Sequence, residues 1–350
     1  MSGQARMPID DAPIFRPAWW LPGAHLQTLW PAMFRCGPRF SRRRERIATP
    51  DGDFLDLDWS GEEESPLVIL IHGLSGSSAS PYILGLQNAL GRRGFRTAAL
   101  NFRGCSGPMN DTSRCYHSGE TGDIEYVYRW VRAREPRTPI AAVGFSLGGN
   151  VLLKWLGEAG ERTQLFAAVA VSVPLLLHLC AMRMDRGFSR LYRNRMLHEL
   201  KHYMTAKQAH LRRIGRGEEA GKVERLGDLS TIRSFWDYDE RVVAGLYPFA
   251  GAHDYYRRSS SRQFLRSIGT PTLIIQARDD PFMTPDVIPE PQELSKSVQL
   301  EVTPGGGHVG FIAGNWPGRA RYWLEERIPE YLCERLRRSN PVLPESGTGR

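Results

Sequence analysis

Residues 139–156 read Pro-Ile-Ala-Ala-Val-Gly-Phe-Ser-Leu-Gly-Gly-Asn-Val-Leu-Leu-Lys-Trp-Leu. The run before Gly144 has the composition of a buried strand, and the residues after Ser146 have helical spacing. Gly144-Phe145-Ser146-Leu147-Gly148 joins them, which predicts a strand, a sharp turn and a helix with the Ser146 hydroxyl projecting above a sheet. So sharp a turn needs small residues on either side, which accounts for Gly144 and Gly148. A tight turn whose serine only caps the helix would look the same locally, so the rest of the chain has to decide.

Working outward, apolar runs alternate with helical patterns. Upstream are a strand in PLVILIHG (66–73), a helix in SPYILGLQNALGRRG (80–94), a strand in FRTAALNFRG (95–104) and a helix in GETGDIEYVYRWVRARE (119–135). Downstream are strands in LFAAVAVS (165–172), PTLIIQA (271–277) and VQLEVTPGGGH (298–308), and a last amphipathic helix over 314–337. This rhythm predicts an α/β architecture with a mostly parallel sheet and helices on both faces. Two further strands flank a turn at Pro50-Asp51-Gly52. Asp51, Asp53, Asp56 and Asp58 lack the spacing and closing glutamate of a calcium loop and read as part of a half-buried strand. Four regions are expected: a surface-wrapping segment over 1–40, a core over 41–173 and 251–338, a helical cap insertion over 174–250, and a disordered tail over 339–350.

A serine hydroxyl is a poor nucleophile until a base takes its proton. Of nine histidines, His308 is the best placed, in a loop after a strand and the run Gly305-Gly306-Gly307. The acid should lie at the tip of the strand between the two, where Asp279 and Asp280 are adjacent. Asp280 is preferred because it directly precedes the Pro-Phe-Met-Thr-Pro turn, while Asp279 is placed to cap that turn. Ser146, Asp280 and His308 then follow the chain order Ser…Asp…His of an α/β-hydrolase. His117 precedes the serine, fits that order poorly and is kept as a supporting residue. Donors for a developing oxyanion are expected from the backbone N–H groups of Leu147, next after the serine, and Leu74, in the loop after the first parallel strand.

These residues resemble a known family. HLQTLWP (25–31), PDGDFLDLDW (50–59), HGLSGSSASPY (72–82), NFRGCSG (101–107), YHSGETGD (116–123), GFSLGGN (144–150), GFSRLY (187–192), DDPFM (279–283) and GGHVGFI (306–312) are similar to segments of the bacterial YheT-type α/β-hydrolases, a group assigned as esterases. The likeness runs from about residue 17 to residue 333. It implies an α/β-hydrolase fold, the triad Ser146, Asp280 and His308, and acyl esters as substrates. Eukaryotic members of the family include medium-chain phospholipases and ethanol acyltransferases acting on acyl-CoA.

Composition narrows the partners. The chain has 46 basic and 38 acidic residues, a net charge of +8. Only five of the 46 are lysine, and no nucleic-acid reader motif occurs, so nucleic acid is not expected. Residues 183–213 hold nine Arg or Lys against two acids, with Phe188, Leu191, Tyr192, Met196, Leu200 and Met204 at helical spacing. Three readings compete for this stretch: a cap helix with a solvated basic face, contact with anionic lipid headgroups, or grip on an acidic acyl substrate. Trp19, Trp20 and Trp30 read as packing residues.

Five scattered cysteines without a CxxC suggest neither zinc nor a disulfide framework, but free thiols in a reducing cytoplasm. The polar start lacks the apolar region of a signal peptide. Pro174 and His178 interrupt the apolar stretch 165–182, which argues against a spanning helix. A cytoplasmic protein is expected, free or peripheral on the inner membrane. No Walker loop appears, and neither metal nor organic cofactor is expected. The residues thus favour ester hydrolysis, with acyl transfer to an alcohol as the alternative and a non-catalytic binding protein on a hydrolase fold as the rival from another class.

Overall fold

The structure, a computed structural model, describes residues 15–339. An eight-stranded sheet has the order β1-β2-β4-β3-β5-β6-β7-β8. Its strands are β1 (Arg43–Ala48), β2 (Phe54–Ser60), β3 (Leu67–Ile71), β4 (Arg96–Asn101), β5 (Ile140–Phe145), β6 (Leu165–Val171), β7 (Thr272–Ala277) and β8 (Val298–Thr303). Strands β1 and β2 are antiparallel; from β4 through β3 to β8 every pairing is parallel.

Period-two alternation explains why parallel strands so uniformly apolar are stable here. On β3, Leu67, Ile69 and Ile71 pack with Ile124 and Val127 of helix α3 (Gly122–Arg134) and Val151 and Leu152 of α4 (Leu147–Ala159). Val68 and Leu70 point the other way, onto Ile83 and Leu86 of α2 (Pro81–Gly91) and Leu324 and Ile328 of α11 (Leu324–Ser339). Both faces are therefore covered.

Strand β2 departs from the half-buried pattern expected: six of its seven residues are buried. Its aspartates survive burial through cross-strand ion pairs. Asp56 accepts two hydrogen bonds from Arg46 and Asp58 two from Arg44, in β1. Asp53, just before β2, accepts from Arg103, Asn110 and Thr112.

Between β6 and β7 the chain leaves the sheet. It forms α5 (Leu177–Met184), the 25-residue α6 (Ser189–Arg213), α7 (Gly217–Glu224), α8 (Phe235–Tyr238), a π turn over Asp239–Val243, α9 (Ala244–Leu246) and α10 (Ala252–Ser259). These helices share an apolar cluster of their own, including Leu177, Leu197, Met204, Val223, Val242 and Tyr255. Lys207 on α6 is fully buried and ties this segment to the sheet side, donating to Asn110 and to the carbonyls of Thr112 and Arg114.

The ends of the chain differ from expectation. Within the expected surface-wrapping segment, α1 (Ala24–Phe34) is a helix with Pro31 inside it. The last helix does not begin at 314: residues 312–322 form a small hairpin, β9 (Ile312–Ala313) with β10 (Arg321–Tyr322), whose turn contains Pro317. A proline and two glycines (Gly314, Gly318) defeat helix formation there. Trp20 and Trp30 pack on each other at 4.7 Å, but Trp19 is exposed. The expected tail, 339–350, lies outside the described residues except for Ser339, which closes α11. Among the described residues no helix is long and apolar enough to cross a membrane.

Candidate active site

Three loops meet at the C-terminal ends of the parallel strands. The first carries Ser146 between β5 and α4, with φ 52° and ψ −119°, a left-handed backbone that a non-glycine residue adopts only under constraint. The constraint is visible. A Cβ added to Gly144 would lie 2.5 Å from the Gly148 carbonyl oxygen, and one added to Gly148 would lie 2.4 Å from the His72 carbonyl oxygen. Both glycines are thus required by close backbone approach.

The second loop follows β8. His308 Nε2 is 2.9 Å from Ser146 Oγ. Its Nδ1 is 2.8 Å from Asp280 Oδ2, in the third loop, after β7. With Nδ1–H donating to Asp280, the Nε2 lone pair faces the serine hydroxyl. The other Asp280 oxygen accepts from the Phe282 amide at 2.9 Å, which holds the carboxylate in place. Asp279 points elsewhere and accepts from the Gly307 amide at 3.0 Å. It shapes the glycine turn before His308, and burial raises its pKa. Of the two neighbouring aspartates, only Asp280 bonds the imidazole.

The loop 73–76, after β3, lies directly against the serine: a Cβ on Gly73 would be 3.1 Å from Ser146 Cβ. Its amides are nearly all engaged. Gly73 donates to Tyr82 Oη (2.9 Å), Ser75 to Tyr116 Oη (3.0 Å) and Gly76 to the Gly73 carbonyl (3.1 Å). Among the described residues, Leu74 is the amide of this loop left without an acceptor. Leu147 is the first residue of α4, where an amide has no acceptor within the helix.

Sequence reasoning missed several supporting residues. Thr28 of α1 accepts from the His308 amide (2.9 Å), and Ser172, after β6, accepts from the Val309 amide (3.0 Å). Phe282 stacks on the His308 ring, with centroids 4.1 Å apart. His72, fully buried, donates from Nδ1 to the Gly73 carbonyl (2.7 Å) and accepts the Phe102 amide at Nε2 (3.2 Å); burial lowers its pKa to about 4. The HG pair of the first strand loop was a signal for His72. Nothing local signals Thr28 or Ser172. His117 does not reach the serine–histidine pair. It sits among Tyr247, Phe249 and Tyr255, accepts the Gly119 amide at Nδ1, and is lowered by burial to about 3.

Ser146 and His308 open onto a cavity of about 460 Å³. Its walls are mainly apolar: Leu74 and Leu147 beside the serine, Leu177, Ala181, Met184 and Leu200 from the helical segment, and Pro31 and Ala32 from α1.

Comparison with known proteins identifies the family. The sequence pattern of the α/β-hydrolase fold matches residues 66–314. YheT of Escherichia coli (strain K12), assigned as an esterase, is 41% identical over 92% of this chain and 94% of its own. The chain is a YheT-type α/β-hydrolase. The mouse phospholipase ABHD3 is 31% identical to this hydrolase over 89% of the chain and 78% of its own length. Among solved structures, the Pyrococcus furiosus esterase Pf2001 superposes with a TM-score of 0.53, covering 87% of this chain and 98% of that one at 17% identity, a likeness of fold alone. YheT and ABHD3 both carry ester-cleaving names, which supports ester hydrolysis in general terms for this member.

Proposed function

We propose that the protein hydrolyses carboxylic esters through an acyl-Ser146 intermediate. The observation that carries this reading is the continuous chain Ser146 Oγ–His308 Nε2 (2.9 Å) and His308 Nδ1–Asp280 Oδ2 (2.8 Å) on a strained turn. His308 takes the Ser146 proton as Oγ attacks the ester carbonyl carbon. Asp280 stabilises the imidazolium, and the amides of Leu74 and Leu147 receive the oxyanion. His308 returns the proton to the departing alcohol. It then deprotonates a water that attacks the acyl carbon, and collapse regenerates Ser146 and releases the acid. The apolar cavity suits an acyl chain.

Labelling by a fluorophosphonate probe, with turnover of p-nitrophenyl esters of graded length, tests this reading. Stoichiometric label that Ser146→Ala abolishes, together with ester turnover, is the expected result. No label and no turnover would leave only a binding role. An alcohol in place of water at the second step gives transfer instead of hydrolysis; added ethanol then yields the ethyl ester rather than the acid.

We further propose that the start of α6 meets anionic lipid. Phe188, Leu191 and Met182 are exposed. Arg186 and Arg190 beside them have no acidic partner among the described residues. Leu200 and Met204, further along, are buried, so the apolar row predicted over 188–204 divides into an exposed beginning and a packed remainder. Phe188 lies 4.6 Å from His25 of α1, and Met184 and Ala32 line the cavity. The exposed apolar residues thus stand beside the cavity through which an acyl ester would pass.

A further inference from the structure

One ionisable group on the cavity wall has no part in the reaction above. Asp239 begins the π turn between α8 and α9 and lines the same cavity as Ser146 and His308. Turns of this type are rare and concentrate at functional positions. One carboxyl oxygen, Oδ2, accepts a hydrogen bond from Tyr256 Oη at 2.6 Å. Among the described residues the side chain has no other hydrogen-bond partner and no ion pair. The neighbouring cavity wall is Phe235, Tyr238, Val243, Tyr255 and Tyr256. The titratable groups facing Asp239 are the phenols of Tyr238, Tyr255 and Tyr256. Its neighbour Glu240 is turned to the Ala252 amide.

Asp239 is partly buried, and its second carboxyl oxygen is left for a group that enters the cavity. Burial pushes Asp239 up to about 7, so both protonation states are populated near neutrality. A hydroxyl matches both: it accepts from the neutral carboxyl and donates to the carboxylate. An ammonium group would match the ionised state alone. Helix capping does not explain the residue, since its carboxyl receives no backbone amide.

We propose that Asp239, oriented by Tyr256, is a polar anchor in a mainly apolar substrate site and binds a hydroxyl carried on the substrate away from the scissile ester. The substrate class is then a hydroxylated acyl ester rather than a plain fatty ester. This rests on the ester-hydrolase reading of the same cavity. Asp239 acts in binding and positioning and takes no proton from the reacting atoms.

The test compares matched pairs of esters, with and without a terminal hydroxyl, over medium and long chains. p-Nitrophenyl esters place the hydroxyl on the acyl limb; hydroxyalkyl alkanoates place it on the alcohol limb. At one limb and length the hydroxylated member is expected to have a kcat/KM higher by about tenfold or more, because a site built to bond a hydroxyl discriminates against its absence. Asp239→Leu should remove that ratio, Asp239→Asn should keep part of it, and Tyr256→Phe should reduce it. The ratio is internal to each variant, so a loss of folded protein does not imitate it.

A preference for the plain chain at every length on both limbs, in an enzyme that turns over plain esters, overturns the proposal and leaves the hydrolase reading standing. So does a hydroxyl preference unchanged in Asp239→Leu, or stronger selection for an ammonium-bearing chain. Absence of all ester turnover and of fluorophosphonate labelling overturns both readings together.

Discussion

Thr28 Oγ1 accepts a hydrogen bond from the backbone amide of His308, 2.9 Å away and 280 residues later. Two hydroxyls therefore hold consecutive amides of the histidine loop, Thr28 at 308 and Ser172 at 309. Through Thr28, helix α1 is part of the site's scaffold. Thr28→Val removes the acceptor and leaves the amide unpaired, at a cost of about 1–3 kcal/mol. The loop should drift, lowering kcat/KM for a p-nitrophenyl ester roughly tenfold, while Thr28→Ser stays near wild type. Steady-state kinetics on the two variants checks this; equal activity in Thr28→Val would show that the loop holds itself.

Asp279 and Asp280 are adjacent but serve different partners. Asp280→Asn should lower kcat by about a thousandfold or more, since the neutral amide neither fixes the tautomer nor stabilises the imidazolium. Asp279→Asn keeps an oxygen for the Gly307 amide and should cost less than about tenfold. Kinetics on both variants reads the difference, and the reverse order would reassign the acid.

Vesicle sedimentation tests the lipid proposal. Arg193 pairs with Asp185 and Arg195 with Glu199, whereas Arg186 and Arg190 have no acidic partner among the described residues. Arg186→Glu with Arg190→Glu should weaken binding to anionic vesicles by roughly 2–4 kcal/mol, and added salt should weaken the wild type in the same direction. Binding to anionic vesicles that neither change reduces would remove lipid from the account.

Stability should fall on acidification. Burial lowers His72 to about 4 and His117 to about 3, from an ordinary value of 6.5. Below pH 6.5 the unfolded chain takes up protons that the folded chain refuses. The stabilisation is thus complete above that pH and lost as pH falls toward 4 for His72 and toward 3 for His117. The slope is at most about 1.4 kcal/mol per pH unit for each histidine. Asp239, raised to about 7, works in the opposite direction, favouring the fold at lower pH. Urea melts from pH 7 to pH 5 on wild type and His117→Asn isolate the histidine contribution: the variant should show the shallower loss. Parallel loss in both would mean that His117 is not neutral in the fold.

What was legible in the sequence was whatever short-range sterics and periodicity impose. The run before Gly144 can only be a buried strand, Ser146 must turn sharply between two glycines, and alternation of apolar runs with helical spacing demands a parallel sheet covered on both sides. Ser146, Asp280 and His308 stand in the chain order of an α/β-hydrolase triad. Tertiary structure alone decided which of two adjacent carboxylates meets the imidazole, because Asp279 and Asp280 differ only in direction, and direction depends on where the Gly307 amide comes to rest. It alone brought Thr28 of α1 under His308, and it alone left Asp239 half-bonded on an apolar wall. These contacts join separate elements, 280 residues apart for Thr28 and His308, and no local pattern encodes the distance between two loops.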